Sequence, residues 1–439
     1  MRTTAVRHRL ALGLAALAGA VVVVLGGGSG NAPPAAAVVE TNRDLPRLVE
    51  ELATRSSRGV VRRLEARVAE SPDARSLALL GLGYQQLARE TGDVSWLARS
   101  GEALQRARIA DPADGLGLAA SAQLAVTRHR FRDGALLARR ALAHDRDDPL
   151  ALAPLGDALV ALGRHREAFR TYDRLAARGP SVGAYARIAT ARQLLGRPAA
   201  ALDAMELAIE AGSGIPEQQA WALTRYGTLL VASDRLDEAE SALRRSLRLV
   251  PGYVHAEAGL ARVAAARGAF DAAAEQLDHV VARLPLPEYA ILLGDVLARA
   301  GRTGQAREAY RLVATLESLL AAGGVRVDLQ TSLFDLDRGV RVREALARAR
   351  AAYAAAPGVA AADTVAWGLL RSGRCEEALS WSRRALVLGT ADGLFLFHRG
   401  MIERCLRGAE AGRPWFQRAL AVNPAFSFRW APLADRLSA

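Results

Sequence analysis

From Leu45 onward, apolar residues recur along this chain at spacings of three and four. That period places them on one face of an α-helix. The stretch Leu152–Pro180 shows it most clearly. Leu152, Leu155, Gly156 and Leu159 fall at i, i+3, i+4 and i+7, and Ala168, Tyr172 and Leu175 mark a second face. Gly163 stands between the two, where a left-handed residue can stop the first helix, and Pro180 closes the unit. The unit returns: Pro112, Arg146 and Pro180 are spaced 34 and 34 residues, and Pro251 and Pro285 again 34. A small residue recurs inside the first helix at Gly81, Ala122, Gly156, Ala189, Gly227, Ala261, Gly294, Ala366 and Gly400. An alanine recurs near the start of the second, at Ala168, Ala201, Ala239, Ala273, Ala306, Ala345 and Ala378. Two helices that cross closely need small residues at the contact, and the reversal between them needs a residue tolerant of positive φ. Gly163, Gly196, Gly268, Gly301 and Gly373 stand at that reversal.

A 34-residue helix–turn–helix with Leu-Gly in its first helix, Ala after the turn and a terminal Pro resembles the tetratricopeptide repeat. The resemblance implies an all-α fold: a right-handed α-solenoid of stacked antiparallel helix pairs, about ten copies over residues 72–430. The departures are specific. Glu90–Val94 is an insertion, Gly212–Glu217 separates two repeats, Arg311–Gly324 lengthens a second helix, and Val325–Pro357 fits loosely. Residues 38–71 read as a linker and capping helices, Leu45–Arg55 and Val60–Glu70, and residues 431–439 as a C-terminal tail. Contacts confined to neighbouring repeats would let stability accumulate unit by unit, so a chain cut after Pro285 is expected to stay folded.

Residues 1–37 follow another pattern. Arg2, Arg7 and Arg9 precede an uncharged apolar run, Leu10–Leu25, followed by Gly26–Gly30 and then Pro33-Pro34-Ala35-Ala36-Ala37. A basic, an apolar and a small-residue region in this order make a secretory signal. The distance of Ala35–Ala37 from the apolar run leaves an uncleaved membrane anchor as the alternative, its arginines on the cytoplasmic side. Either way, the solenoid is expected outside the cytoplasm, secreted or in the cell envelope.

Charge changes the picture little. The net charge is +12, yet all 58 basic residues are arginine, spread along the whole chain. This is the mark of GC-rich, bacterial coding rather than of a phosphate-binding patch, and nucleic acid is not expected as a partner. Aromatics at 5% and three asparagines argue against a β-sandwich or barrel. The seven histidines are scattered, with no i, i+4 pair, and no phosphate-binding or nucleophile motif occurs. Acid pairs such as Glu376-Glu377 open second helices, where carboxylates favour a helix N-terminus. The expectation is a protein without catalytic, metal or cofactor residues.

The family resemblance implies a concave groove lined by first helices that holds peptides. In the C-terminal repeats its outward positions are Phe334, Asp337 and Arg338; Asp363, Trp367 and Arg371; and Phe397, Met401 and Arg404. Guanidinium forks beside aromatic faces suit a peptide's carboxylates and apolar anchors. The alternative is that the aromatics are inter-repeat core and the arginines merely solvated. The N-terminal groove offers the blander Gln85, Gln86, Thr190, Gln193, Thr224 and Thr228. Cys375 and Cys405 lie at one edge in adjacent repeats, as a disulfide or as two unpaired thiols. Three functions fit: an exported or membrane-tethered scaffold for a protein or peptide partner, a self-associating structural repeat, or an intracellular regulator.

Overall fold

The computed structural model describes residues 57–439. Residues 1–37 and the first capping helix, Leu45–Arg55, lie outside the described residues. Helix α1 (Ser57–Glu70) covers the first repeat, and ten antiparallel pairs follow. They are α2 (Ala74–Thr91) with α3 (Ser95–Ala110), α4 (Gly115–Thr127) with α5 (Phe131–Leu142), and α6 (Pro149–Ala161) with α7 (His165–Arg178). Next come α8 (Val182–Leu194) with α9 (Pro198–Ala211), α10 (Pro216–Ala232) with α11 (Leu236–Leu249), and α12 (Val254–Ala266) with α13 (Phe270–Arg283). The last four are α14 (Pro287–Arg299) with α15 (Thr303–Ala322), α16 (Asp328–Arg338) with α17 (Val342–Ala355), α18 (Val359–Arg371) with α19 (Cys375–Ala385), and α20 (Gly393–Arg407) with α21 (Ala409–Val422). A final helix, α22 (Ala431–Ser438), ends the chain, and no strand occurs among the described residues. This is the all-α solenoid of stacked pairs that the repeat pattern implies.

The small residues of the first helices do what their spacing requires. A Cβ at Gly156 would lie 2.3 Å from Tyr172, at Gly227 2.8 Å from Leu243, at Gly294 2.3 Å from Tyr310 and at Gly400 2.6 Å from Phe416. Each contact joins the two helices of one pair. In the first pair the partner of Gly81 is Leu104, at 2.6 Å, displaced along the sequence by the insertion around Glu90–Val94. The reversals at Gly163, Gly196, Gly268, Gly301 and Gly373 all have positive φ.

One expectation is corrected. The solenoid is not held by neighbours alone, because its second superhelical turn rests on its first. The reversals inside four early repeats meet the junctions between later repeats, in regular order. His129 Nδ1 bonds the Arg326 carbonyl, 197 residues away. A Cβ at Gly163 would stand 2.6 Å from the Pro357 carbonyl oxygen, and one at Gly196 2.2 Å from that of Gly389. Thr390 Oγ1 donates to the Leu194 carbonyl at 2.6 Å, across 196 residues. Asn423 Nδ2 donates to the Val231 carbonyl at 3.0 Å, across 192. Each step advances one repeat on both sides of this seam. Two of the sequence irregularities meet at its start: the long α15 and the residues after it place Leu320, Val325 and Val327 in one apolar cluster with Leu87 and Val94 of the first repeat. The physical reason is cumulative rotation. A small fixed twist per repeat brings the stack over itself after about six repeats, where backbone polar groups find partners.

Candidate groove and its occupant

The concave face of the C-terminal repeats is built by α16, α18 and α20. Its expected outward residues divide. Trp367 and Phe397 are only 1% and 0% exposed, and Asp363 is buried as well. Trp367 stacks on His398 with ring centroids 4.2 Å apart, and Asp363 Oδ2 pairs with His398 Nδ1 at 2.8 Å. These three are therefore corrected from open groove to interior. Phe334, Arg338 and Met401 are half-buried, while Arg371 and Arg404 are exposed. Arg338 lies over the rings of Tyr310, at 3.9 Å, and Phe334, at 5.4 Å. Arg371 lies 5.6 Å from the Trp367 ring. The three arginines do not form one open ladder: Arg338 is half-buried on two rings, while Arg371 and Arg404 are exposed.

What covers the face is the chain itself. After α21, residues 423–430 run across it before α22 begins. The Phe426 ring lies 5.9 Å from Phe397, and the Phe428 ring 6.4 Å from Phe270 of α13. The Trp430 indole sits 5.4 Å from Phe397 and 5.5 Å from Trp367. Asp337 receives two indole N–H groups on the same Oδ1, from Trp367 at 3.0 Å and from Trp430 at 2.9 Å. Arg429 Nε donates to the Asp337 backbone carbonyl at 3.1 Å. Burial raises the pKa of Asp337, against the opposing pull of His398 and of the two indoles. His398 is also buried, which alone would lower its pKa, but Asp363, Asp337 and Asp392 together raise it. His398 Nε2 and Asp363 Oδ1 have no hydrogen-bond partner.

Along the first turn, other residues stand out than those expected. Gln85 is buried and donates to Ser100 and to the Ala120 carbonyl. Thr224 bonds Ser246 and the Ala220 carbonyl, bridging two helices. Thr190 bonds its own helix, and Gln193 and Thr228 are exposed. Gln86 Nε2 reaches across the superhelix to Glu217 Oε1, at 3.4 Å. Burial raises the pKa of Glu217, and Arg89 pulls it the other way. Further along, His255 Nδ1 pairs with the Tyr289 hydroxyl at 2.6 Å, and burial drives its pKa down to about 4. Burial lifts Glu288 to about 7, opposed in part by Gln330 and Arg262. Desolvation by surrounding protein lowers the pKa of both Arg225 and Arg262, although Arg225 is only half-buried and Arg262 is exposed. Neither guanidinium is in an ion pair with any described residue. The sequence signal for this set was weak, because which residues face across a superhelix depends on its pitch.

At the edge of the last repeats, Cys375 at the start of α19 and Cys405 near the end of α20 are joined as a disulfide, with Cα atoms 6.2 Å apart. Among the described residues no group of His, Cys, Asp or Glu could hold a metal ion.

The tetratricopeptide repeat family matches residues 230–296, from the end of α10 through most of α14. No curated protein matches the chain. Among solved structures, it is similar to YrrB, a TPR protein with an unusual peptide-binding site, at 20% identity and TM-score 0.29, over 42% of this chain and 92% of that one. It is also similar to Pseudomonas aeruginosa pilF, at 19% identity and TM-score 0.36, over 48% of this chain and 92% of that one. A monomeric mutant of IFIT1 with Gppp-AAAA matches at 14% identity and TM-score 0.47, over 75% of this chain and 76% of that one.

Proposed function

We propose that this protein is a non-catalytic interaction scaffold of the extracytoplasmic space that receives a peptide or protein segment along the concave face of its first superhelical turn. The observation that carries the reading is the pair Arg225 and Arg262. Arg225 of α10 is half-buried and Arg262 of α12 is exposed. Neither is held in a close ion pair, and Arg262 lies within electrostatic reach of Tyr289, Glu288 and Asp295, with Tyr289 itself paired to His255. Guanidinium groups not committed to a close ion pair can take a carboxylate or carbonyl by charge-assisted hydrogen bonds, and a neighbouring tyrosine adds apolar area with a polar tip. Partner segments rich in Asp or Glu suit such a surface. Export is supported by the basic and apolar order of residues 1–37 and by the Cys375–Cys405 bond, which suits an oxidising compartment.

Proximity labelling in the native host, followed by capture on purified protein, tests the scaffold reading. Arg225→Gln with Arg262→Gln should leave the helical circular dichroism unchanged and weaken capture of the labelled partner at least tenfold at low salt. Undiminished capture would move the site elsewhere. Location is tested separately by alkylating non-reduced protein from cells: two alkylated thiols would contradict an oxidised pair and, with it, the extracytoplasmic reading.

A further inference from the structure

The residues between α21 and α22 do not pass over the concave face as a featureless connection. They present side chains at intervals, as a bound extended peptide does. Phe426 and Trp430 enter the aromatic cluster of Trp367 and Phe397, and Phe428 packs against Phe270 in the preceding superhelical turn. Two polar contacts are directional. The Trp430 N–H is received by the Asp337 carboxylate at 2.9 Å, and the Arg429 Nε–H by the Asp337 carbonyl at 3.1 Å. Arg429 is exposed and Trp430 half-buried, so these two residues lie at the mouth of the cluster, while Phe428 is buried against α13. Below the segment the site is complete without it: Asp337 keeps the Trp367 indole N–H, and the ring floor keeps Trp367 stacked on His398.

We propose that the concave face of α16, α18 and α20 is an indole-recognition site, with the chain's own Phe428-Arg429-Trp430 as its resting occupant, and that the partner it admits is a peptide carrying tryptophan next to arginine. The proposal concerns a different stretch of surface from Arg225 and Arg262, so either can fail without the other. Selectivity follows from Asp337. Its carboxylate accepts an N–H that an indole supplies and a phenyl ring lacks, while its carbonyl takes a guanidinium donor. A partner must displace the internal segment, and its apparent affinity falls by the fraction of time the site is open.

The probe is a fluorescent peptide, Ser-Phe-Arg-Trp-Ala-Pro-Leu, the chain's own residues 427–433, titrated by anisotropy into the full-length protein. Trp430→Ala should bind it at least tenfold more tightly than the unaltered protein. A peptide with 1-methyltryptophan, which lacks the N–H, should bind that variant at least tenfold more weakly than the parent peptide. If Trp430→Ala loses its helical circular dichroism, Trp430→Phe keeps an aromatic ring in place without the N–H donor and serves in its stead. No binding by a folded variant would overturn the proposal, as would equal affinity for the methylated peptide or equal affinity of the unaltered protein. Arg225→Gln with Arg262→Gln, introduced into the same variant, should leave peptide affinity unchanged.

Discussion

A Cβ at Gly156 would press on the Tyr172 ring at 2.3 Å, and that ring cannot retreat freely because its hydroxyl is tied to Asp157 Oδ1 at 2.9 Å. Asp157 in turn holds Arg187 of the next repeat through both oxygens, at 2.9 and 2.7 Å, wholly out of solvent. Gly156→Leu should therefore lower stability by about 1–3 kcal/mol, the usual cost of overpacking a fixed contact; a urea midpoint equal to that of the unaltered protein would contradict it. The glycine was legible in the sequence as one of a series. The Asp157–Arg187 pair was not, since nothing in one repeat announces a salt bridge to the next. The same Gly-Asp and Tyr arrangement recurs at Gly294, Asp295 and Tyr310, with the hydroxyl bond at 2.7 Å. There no arginine replaces the lost water directly, and burial lifts Asp295 to about 6. His398 makes a second residue-scale prediction. Its folded pKa is raised above the ordinary 6.5, so its contribution is present in full below 6.5 and is lost as pH rises through the folded value. Asp363, Asp337 and Asp392 face it, and Trp367 stacks on it. Glu288 and Asp295 also favour the protonated form, while His255 has the opposite sign, so the whole-protein profile mixes them. The difference between unaltered protein and His398→Gln isolates the site: urea unfolding at pH 5.5 and 8.5 should show that gap shrinking at the higher pH.

At the scale of elements, the reversals inside the repeats look alike in sequence and differ in surroundings. Gly196 and Gly268 both have positive φ, 66° and 85°. A Cβ at Gly268 would meet nothing within 4 Å, while one at Gly196 would meet the Gly389 carbonyl oxygen at 2.2 Å. Gly268→Ala should thus cost only the left-handed conformation, about 1–2 kcal/mol. Gly196→Ala should cost that and, in addition, the displacement of a backbone, about 1–3 kcal/mol more. Denaturant midpoints of the two variants check the order; equal midpoints would mean the turn-to-turn contact is not held in solution. The helices, their pairing and the need for glycine at these turns follow from a short-range repeat, and were legible for that reason. Concave faces were legible only in part. The pattern placed Trp367 and Phe397 on first helices correctly, but the open face expected there is closed by residues 423–430, whose own sequence, rich in aromatics, carries no periodicity to locate it.

At the scale of the whole molecule, the seam alters how the solenoid should unfold. In a stack held only by neighbours, loosening one junction affects the repeats on either side of it. Here Thr390 and Asn423 bond carbonyls of Leu194 and Val231, in repeats close to two hundred positions earlier. Each such bond contributes about 0.5–1.5 kcal/mol, and its loss leaves the Leu194 carbonyl unpaired while the Val231 carbonyl keeps only the Asp234 N–H. Thr390→Val with Asn423→Ala should therefore raise amide hydrogen exchange around residues 194–197 and 231–235 as well as around the altered positions. Exchange raised only near 390 and 423 would restore the neighbour-only account. A chain ending at Pro285 tests the same point by subtraction. Its pairs α4–α5 to α10–α11 retain their own cores, while α2–α3 and α12–α13 keep only the part of theirs that lies before Pro285, so its circular dichroism should remain helical. What it loses is everything that rests on its exposed edge: Val325 against the first repeat, Arg326 on His129, Pro357 at Gly163, Gly389 at Gly196. It should accordingly melt over a broader range than the full chain, with early exchange along those reversals, because a stack whose second turn is missing has no means of making its first turn unfold as one.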